Sequence, residues 1–266
     1  MKRPEFRLGT TSYILPDDIL PNVRFLAGQV QDIELVLFEV DDGQNNLPNL
    51  QTIQSLREIS NRQNLTYTIH LPLDLRMGSN GDEQHISLIK AGRVIECTRP
   101  LEPWAYVLHL DARQVRNSTD LRELQRWQDQ ACRALEKTVE WVGNPTLLAV
   151  ENLESYPLDF WEPIFKRVPV SRCVDIGHLW LDGYDPIFYL ERALPRTRVI
   201  HIHGIGERDH QSLSRVDPEE LQRVLDYLVA KKYSGVLTME LFGLHDFESS
   251  LETVKSLLKR QEIRGE

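Results

Sequence analysis

The sequence predicts an α/β fold, a (β/α)8 TIM barrel formed as a single domain over residues 1–266. Three observations predict it. Eight strand-like segments alternate with segments whose apolar residues recur at three and four spacing, and the strand comes first in each pair. A chain of 266 residues with 41% apolar content can bury the core that one such barrel needs. No linker, repeat or low-complexity stretch divides it.

In chain order, strands are expected over 6–13, 33–40, 65–71, 104–111, 146–152, 170–176, 197–203 and 235–242. Helical periodicity falls between them, over 23–30, 50–59, 85–95, 158–167, 186–194, 221–228 and 247–258. The longest helix carries Leu121, Leu124, Trp127, Cys132, Leu135 and Val139 on one face. Ser118-Thr119-Asp120 caps that helix, and Asp217-Pro218-Glu219-Glu220 opens a later one with Pro in the first turn. The 158–167 segment has Pro157 ahead of it and Pro163 inside it. Gly204-Ile205-Gly206 breaks the seventh strand into a loop.

A formal charge of −9 and the lack of a long Lys/Arg run argue against a nucleic-acid partner. Cys97, Cys132 and Cys173 are scattered, with no CxxC pair, as expected for reduced thiols in a cytoplasmic protein. MKRPEFRLGT lacks the apolar stretch of a signal peptide, and no apolar run approaches a membrane span.

In such a barrel the active site lies at the carboxyl ends of the strands. Strand one ends in Thr10-Thr11-Ser12-Tyr13 and strand two in Phe38-Glu39-Val40-Asp41. The next six ends present His70, His109 with Asp111, Glu151, Asp175 with His178, His201 with His203, and Glu240. His210 follows in the loop after strand seven. Six of the eight histidines thus fall in one ring, and only His85 and His245 lie elsewhere. Carboxylates crowded on one rim repel, and neutral imidazoles beside them present lone pairs with nothing to bind. A divalent cation answers both problems.

The order His, His, Glu, Asp-x-x-His, His, His, Glu resembles the ligand order of the endonuclease IV and xylose isomerase-like barrels. That resemblance implies His70 and His109 as ligands from strands three and four, with Glu151 bridging metals. It further implies Asp175, His178, His201, His210 and Glu240 as ligands, with Glu151 and Glu240 in catalytic roles. The loop Arg208-Asp209-His210-Gln211-Ser212-Leu213 is similar to the family's Asp-Arg-His-His-Ser-Leu, with Arg208 standing where the family has Asp. His203 has no counterpart among those ligands and is expected to contact substrate or support a ligand. Two or three zinc ions are implied, with manganese as the alternative.

The same superfamily holds sugar isomerases and epimerases, which need one metal and flanking carboxylates. Glu151, Asp175, His201 and Glu240 would suffice for those. His70, His109 and His210 would then be spare, which favours a multinuclear centre and phosphodiester hydrolysis. The stretches LGTTSYILPDDILPNV (8–23), ELVLFE (34–39) and LTYTIHLPLDL (65–75) resemble the cobamide-remodelling phosphodiesterases of this superfamily. That implies a corrinoid substrate whose nucleotide loop is hydrolysed, with Ser12, Tyr13, Glu39, Asp74 and His203 meeting it at the rim. A one-metal sugar epimerase, an abasic-site endonuclease and a non-catalytic metal- or corrinoid-binding barrel are the alternatives.

Overall fold

Runs of four to six residues rich in Val, Ile, Leu, Thr and Ala form eight strands, short enough to need partners on both sides. They are β1 (Arg7–Thr11), β2 (Asp32–Val36), β3 (Thr66–His70), β4 (Ala105–Leu108), β5 (Leu148–Glu151), β6 (Ser171–Asp175), β7 (Thr197–Ile202) and β8 (Val236–Met239). Each pairs in parallel with the next, and β1 pairs with β8, so the sheet closes into the expected (β/α)8 barrel. The computed structural model describes residues 4–38, 45–206 and 208–264, with side chains through Arg260. Glu39, Val40 and Asp41, expected at the end of strand two, lie outside the described residues.

Nine α-helices cover the barrel among the described residues: α1 (Ile19–Leu26), α2 (Leu50–Gln63), α3 (Ile86–Thr98), α4 (Leu121–Val142), α5 (Glu162–Arg167), α6 (Ile176–Leu181), α7 (Pro186–Ala193), α8 (Pro218–Ala230) and α9 (Leu244–Arg264). None is long and apolar enough to cross a membrane. The expected caps form: Asp120 accepts from the Arg122 N–H and Asp217 from the Glu219 N–H, each at 2.8 Å.

Three helices depart from expectation. The first begins four residues early, at Ile19, and ends at Leu26; Gly28, at φ +85°, then turns the chain toward β2. Pro163 lies in the first turn of α5 rather than inside it, because a proline there forfeits no helical hydrogen bond; the helix is therefore shorter than the 158–167 expectation. The β6–β7 connection holds two helices, not one. Its first, α6, starts directly after β6, capped by Asp175, whose Oδ1 accepts from the His178 N–H at 2.8 Å.

Ala105, Val107, Ala149, Cys173 and Val199 fill the lumen as a small cluster apart from the larger core between strands and helices. Trp104, just ahead of β4, packs against that cluster from the amino-terminal end, and its Nε1–H donates to the Arg198 carbonyl at 3.1 Å. The carboxyl end is left to the polar side chains.

Candidate metal centre and active site

His70, Glu151 and Asp175 are the last residues of β3, β5 and β6, and His109 and Glu240 follow β4 and β8 directly. His201 is within β7 and His203 just past it. Parallel strands expose all their carboxyl ends on one face, so these side chains converge there.

Glu151 is the hub. Its Oε2 lies 3.1 Å from His109 Nε2 and 3.6 Å from His70 Nε2, while Oε1 lies 3.3 Å from His201 Nδ1. Three groups follow in which one ligand atom from each residue lies within 4.8 Å of the others. The first is His70, His109 and Glu151; the second is Glu151, Asp175, His201 and Glu240; the third is His178, His203, Asp209 and His210. Cys173 also lies within reach of Glu151 and His201, but burial pushes its thiol well above the usual value, which keeps it a poor ligand.

The hydrogen bonds suit ligation. Backbone carbonyls accept from one ring nitrogen of His70 (Leu71, 3.0 Å) and of His178 (Asn152, 3.0 Å), leaving each Nε2 lone pair free. The Nε2–H of His201 donates to Glu34 at 2.9 Å, which turns Nδ1 toward Glu151 and Glu240. His109 donates from Nδ1 to Asp74 at 3.2 Å and presents Nε2 to Glu151. A partner on one nitrogen that aims the other is how proteins orient metal-binding imidazoles. Asp175 Oδ2, His201 Nδ1, His203 Nε2 and Glu240 Oε2 are buried together without a hydrogen bond. Each such atom costs about 1–3 kcal/mol, so packing stability alone would not keep four in one place. The residues present fit a divalent-cation centre.

The third group rests on local detail. Gly177 lies between Asp175 and His178, and a Cβ there would run into the His203 ring. His203 is fully buried, 3.3 Å from Asp175 and 3.1 Å from Asp209, and its ring stacks on His210 at 4.3 Å. It therefore joins the donor groups rather than the open rim expected of a substrate contact. Arg208, at the position of the family's aspartate, pairs with Asp246, and Asp209 turns inward instead.

Burial alone would raise the carboxyls of Glu151 and Glu240. Nearby histidines, His201 foremost, outweigh it and hold both well below the ordinary range. Burial alone would lower the imidazoles; Glu151 and Asp74 raise His109 to about 10, and Asp175 raises His203 to about 9. Folded values above the ordinary 6.5 stabilise the metal-free protein fully below that pH, and the gain fades as pH rises through 9–10. A cation must displace the same protons, so its affinity should climb over that window. We expect the Tm of metal-free protein to fall from pH 6.5 toward 10 while metal affinity, read by calorimetric titration, increases with proton release. Affinity independent of pH across that range would contradict the assignment.

A cavity of about 450 Å³ opens above Glu151, His70, His109 and Glu240. Asp74 reaches it but is committed to His109 and, at 3.4 Å, to Arg113. Tyr13 is exposed at the rim with its ring edge toward Phe38. Ser12 is buried beneath, its hydroxyl accepting from the Val36 N–H at 3.1 Å, so it secures β1 to β2. Glu34, Asp209, Arg113, Arg116 and Tyr156 belong to the site and were not singled out as site residues from sequence. Two carried a signal: Glu34, a carboxylate in the middle of a strand buried on both faces, and Asp209, next to the displaced aspartate of the family-like loop.

A closed parallel barrel with its donor groups on the carboxyl rim defines a class, and the match to it is direct. The chain belongs to the xylose isomerase-like TIM barrel family, whose model matches residues 30–260. No curated protein matches it. Among solved structures it is similar to a D-tagatose 3-epimerase-like protein, at 17% identity and TM-score 0.74, covering 98% of this chain and 100% of that one. Endonuclease IV from Thermus thermophilus matches at 17% identity and TM-score 0.69, covering 96% and 99%. The 3-keto-D-glucoside 4-epimerase of E. coli matches at 14% and 0.66, covering 95% and 98%. At such identities the likeness is one of fold.

Proposed function

We propose that the protein is a metal-dependent phosphodiesterase that hydrolyses the nucleotide loop of cobamides, adenosylated or not, releasing a cobinamide species and an α-riboside or its phosphate. The observation that carries the reading is the convergence of His70 and His109 on Glu151, beside a separate four-residue group that already contains Glu151. A single-cation enzyme has no use for that additional pair. The three groups would hold two or three divalent cations, zinc foremost given the imidazole-rich shell, with manganese as the alternative. Such cations polarise a phosphodiester and acidify an attacking water.

The chain's own groups do the rest. Glu240 Oε2, buried without a hydrogen bond and 3.1 and 3.3 Å from His201 and His210, faces the cavity where the reacting water would bind and, with Glu151, is the catalytic carboxylate of this reading. Asp74 holds the His109 ring in one orientation. Arg113 and Arg116 bring positive charge to the mouth, opposite the carboxylates, where an anionic substrate enters. Tyr156 and Phe242 line the mouth, and Tyr13 packs against Phe38 where the chain leaves β1 and β2 on the same rim, aromatic surfaces that suit a broad macrocycle. A net charge of −9 suits a small-molecule substrate in the cytoplasm better than DNA.

The group of Glu151, Asp175, His201 and Glu240 taken alone favours a second reading, a one-metal sugar epimerase. Incubation with an adenosylated cobamide, followed by chromatography of products and elemental analysis, separates the two. We expect a cobinamide product and two or three cations per chain. Full activity on a sugar with one cation would replace the phosphodiesterase reading with the epimerase.

A further inference from the structure

A second cavity, of about 290 Å³, lies outside the metal groups, between the β3–α3 and β4–α4 loops and the first half of α4. Its floor is apolar and fixed: Leu75, Met77, Val115 and Ala131 are all buried. One wall is the indole of Trp127, whose Nε1–H donates to the Asp111 carbonyl at 2.8 Å and whose ring is backed by Phe160 at 5.1 Å. The indole is therefore held in place before any ligand arrives. The rest of the lining is polar: Gln114 and Gln130 offer amide donors and acceptors, and Arg76, Glu123 and Arg126 bring charge of both signs. Sites for whole small molecules begin near 300 Å³, so this one holds a ring-sized fragment.

The cavity is also connected to the chemistry. Asp111 lies at its edge and accepts from Arg76 and Arg113, each at 3.2 Å. Arg113 reaches Asp74 at 3.4 Å, and Asp74 holds His109. One arginine thus spans the gap between this cavity and the first donor group.

We infer that this cavity is a subsite for a flat heterocycle carried by the substrate, apolar on its faces and polar at its edge, and that it sets which base of the nucleotide loop is accepted. The inference rests on the phosphodiesterase reading for its substrate but not for its ligand chemistry. A fixed aromatic wall and apolar floor fit a planar ring system, and amides at the rim fit its ring nitrogens. The linked arginines place the adjoining phosphodiester between subsite and metal groups.

The test uses the metal-loaded full chain with two variants, Ala131→Phe to fill the cavity and Gln130→Ala to remove a rim amide without repacking. Circular dichroism and metal content establish that each is intact. Free benzimidazole, titrated by ligand-observed NMR, should bind the wild type saturably, and Ala131→Phe should abolish that binding. The KM for a cobamide should rise about tenfold or more in Ala131→Phe and by a smaller factor in Gln130→Ala. Turnover of bis(p-nitrophenyl) phosphate, which has no base, should stay within about twofold of wild type in both. Absent benzimidazole binding, or binding unchanged by Ala131→Phe, overturns the subsite, as does an unchanged cobamide KM in both variants. If the wild type cleaves neither phosphodiester, the hydrolase reading fails by itself and the benzimidazole titration still decides this cavity.

Discussion

Glu151→Gln is expected to give a folded barrel with turnover reduced by about 10²–10³-fold or more. Glu151 presents one oxygen to His109 and His70 and the other to His201, so both neighbouring groups draw on a single carboxylate. An amide keeps the shape but replaces one acceptor oxygen by a donor and removes the charge. Burial does not favour the native residue for packing, since a buried carboxylate is costly and is held ionised here only by the histidines around it. The amide should therefore weaken the metal-free fold at neutral pH, because the depressed carboxyl and the raised His109 both draw on that charge, while also impairing cation binding in two groups. Thermal unfolding with and without added zinc would show this: we expect a metal-free Tm somewhat below wild type at pH 7 and a diminished zinc-dependent rise. Near wild-type rates in a folded Glu151→Gln protein would remove Glu151 from the reacting centre.

His70→Ala and His109→Ala carry the second large effect and separate the two enzyme classes. In a one-metal epimerase both histidines lie outside the essential group, and each change should be mild. In the phosphodiesterase each removal deprives the first group of one of three donors, costing at least about 10²-fold, the loss expected for a positioned electrophile. His109→Ala also leaves Asp74 facing only Arg113. We expect it to be the more damaging of the two. Activity on an adenosylated cobamide, metal content and circular dichroism must be read together. Two folded variants with full activity and full metal content would leave the first group without a catalytic role.

The barrel and most of the donor ring were legible because a parallel barrel turns strand position into location. Once 65–71 and 104–111 read as strands, His70 and His109 had to lie on the rim. The same logic brought out Glu151, Asp175, His201 and Glu240. It failed where a side chain's direction depends on a loop rather than a strand. Whether Arg208 or Asp209 faces the site is decided by Asp246 on α9, a contact across 38 residues that no local pattern encodes. The placement of His203 was hidden for a related reason: its position beside Asp175 requires the missing side chain at Gly177, on a helix that strand-like periodicity concealed. Ser12 has the polarity of a rim residue, yet its hydroxyl is committed to the β2 backbone.

The origin of the donors along the chain has a consequence for how such barrels diverge. Asp175, His178, His201, His203, Asp209, His210 and Glu240 all come from β6 onward, and Glu151 ends β5. His70 and His109 come from β3 and β4, as does the Asp74 that orients one of them. The second half-barrel therefore carries the second and third donor groups entire, and the first half-barrel supplies the pair that completes the first, together with Glu34, which aims His201 from β2. Exchanging the amino-terminal half would strip that pair away and remove the Glu34 that aims His201, while leaving the other donors themselves in place. In the proposed reading, the donors that distinguish a multinuclear from a single-cation centre therefore lie ahead of the seam between β4 and β5. The lumen cluster of Ala105, Val107, Ala149, Cys173 and Val199 runs across that seam and ties the two halves into one core.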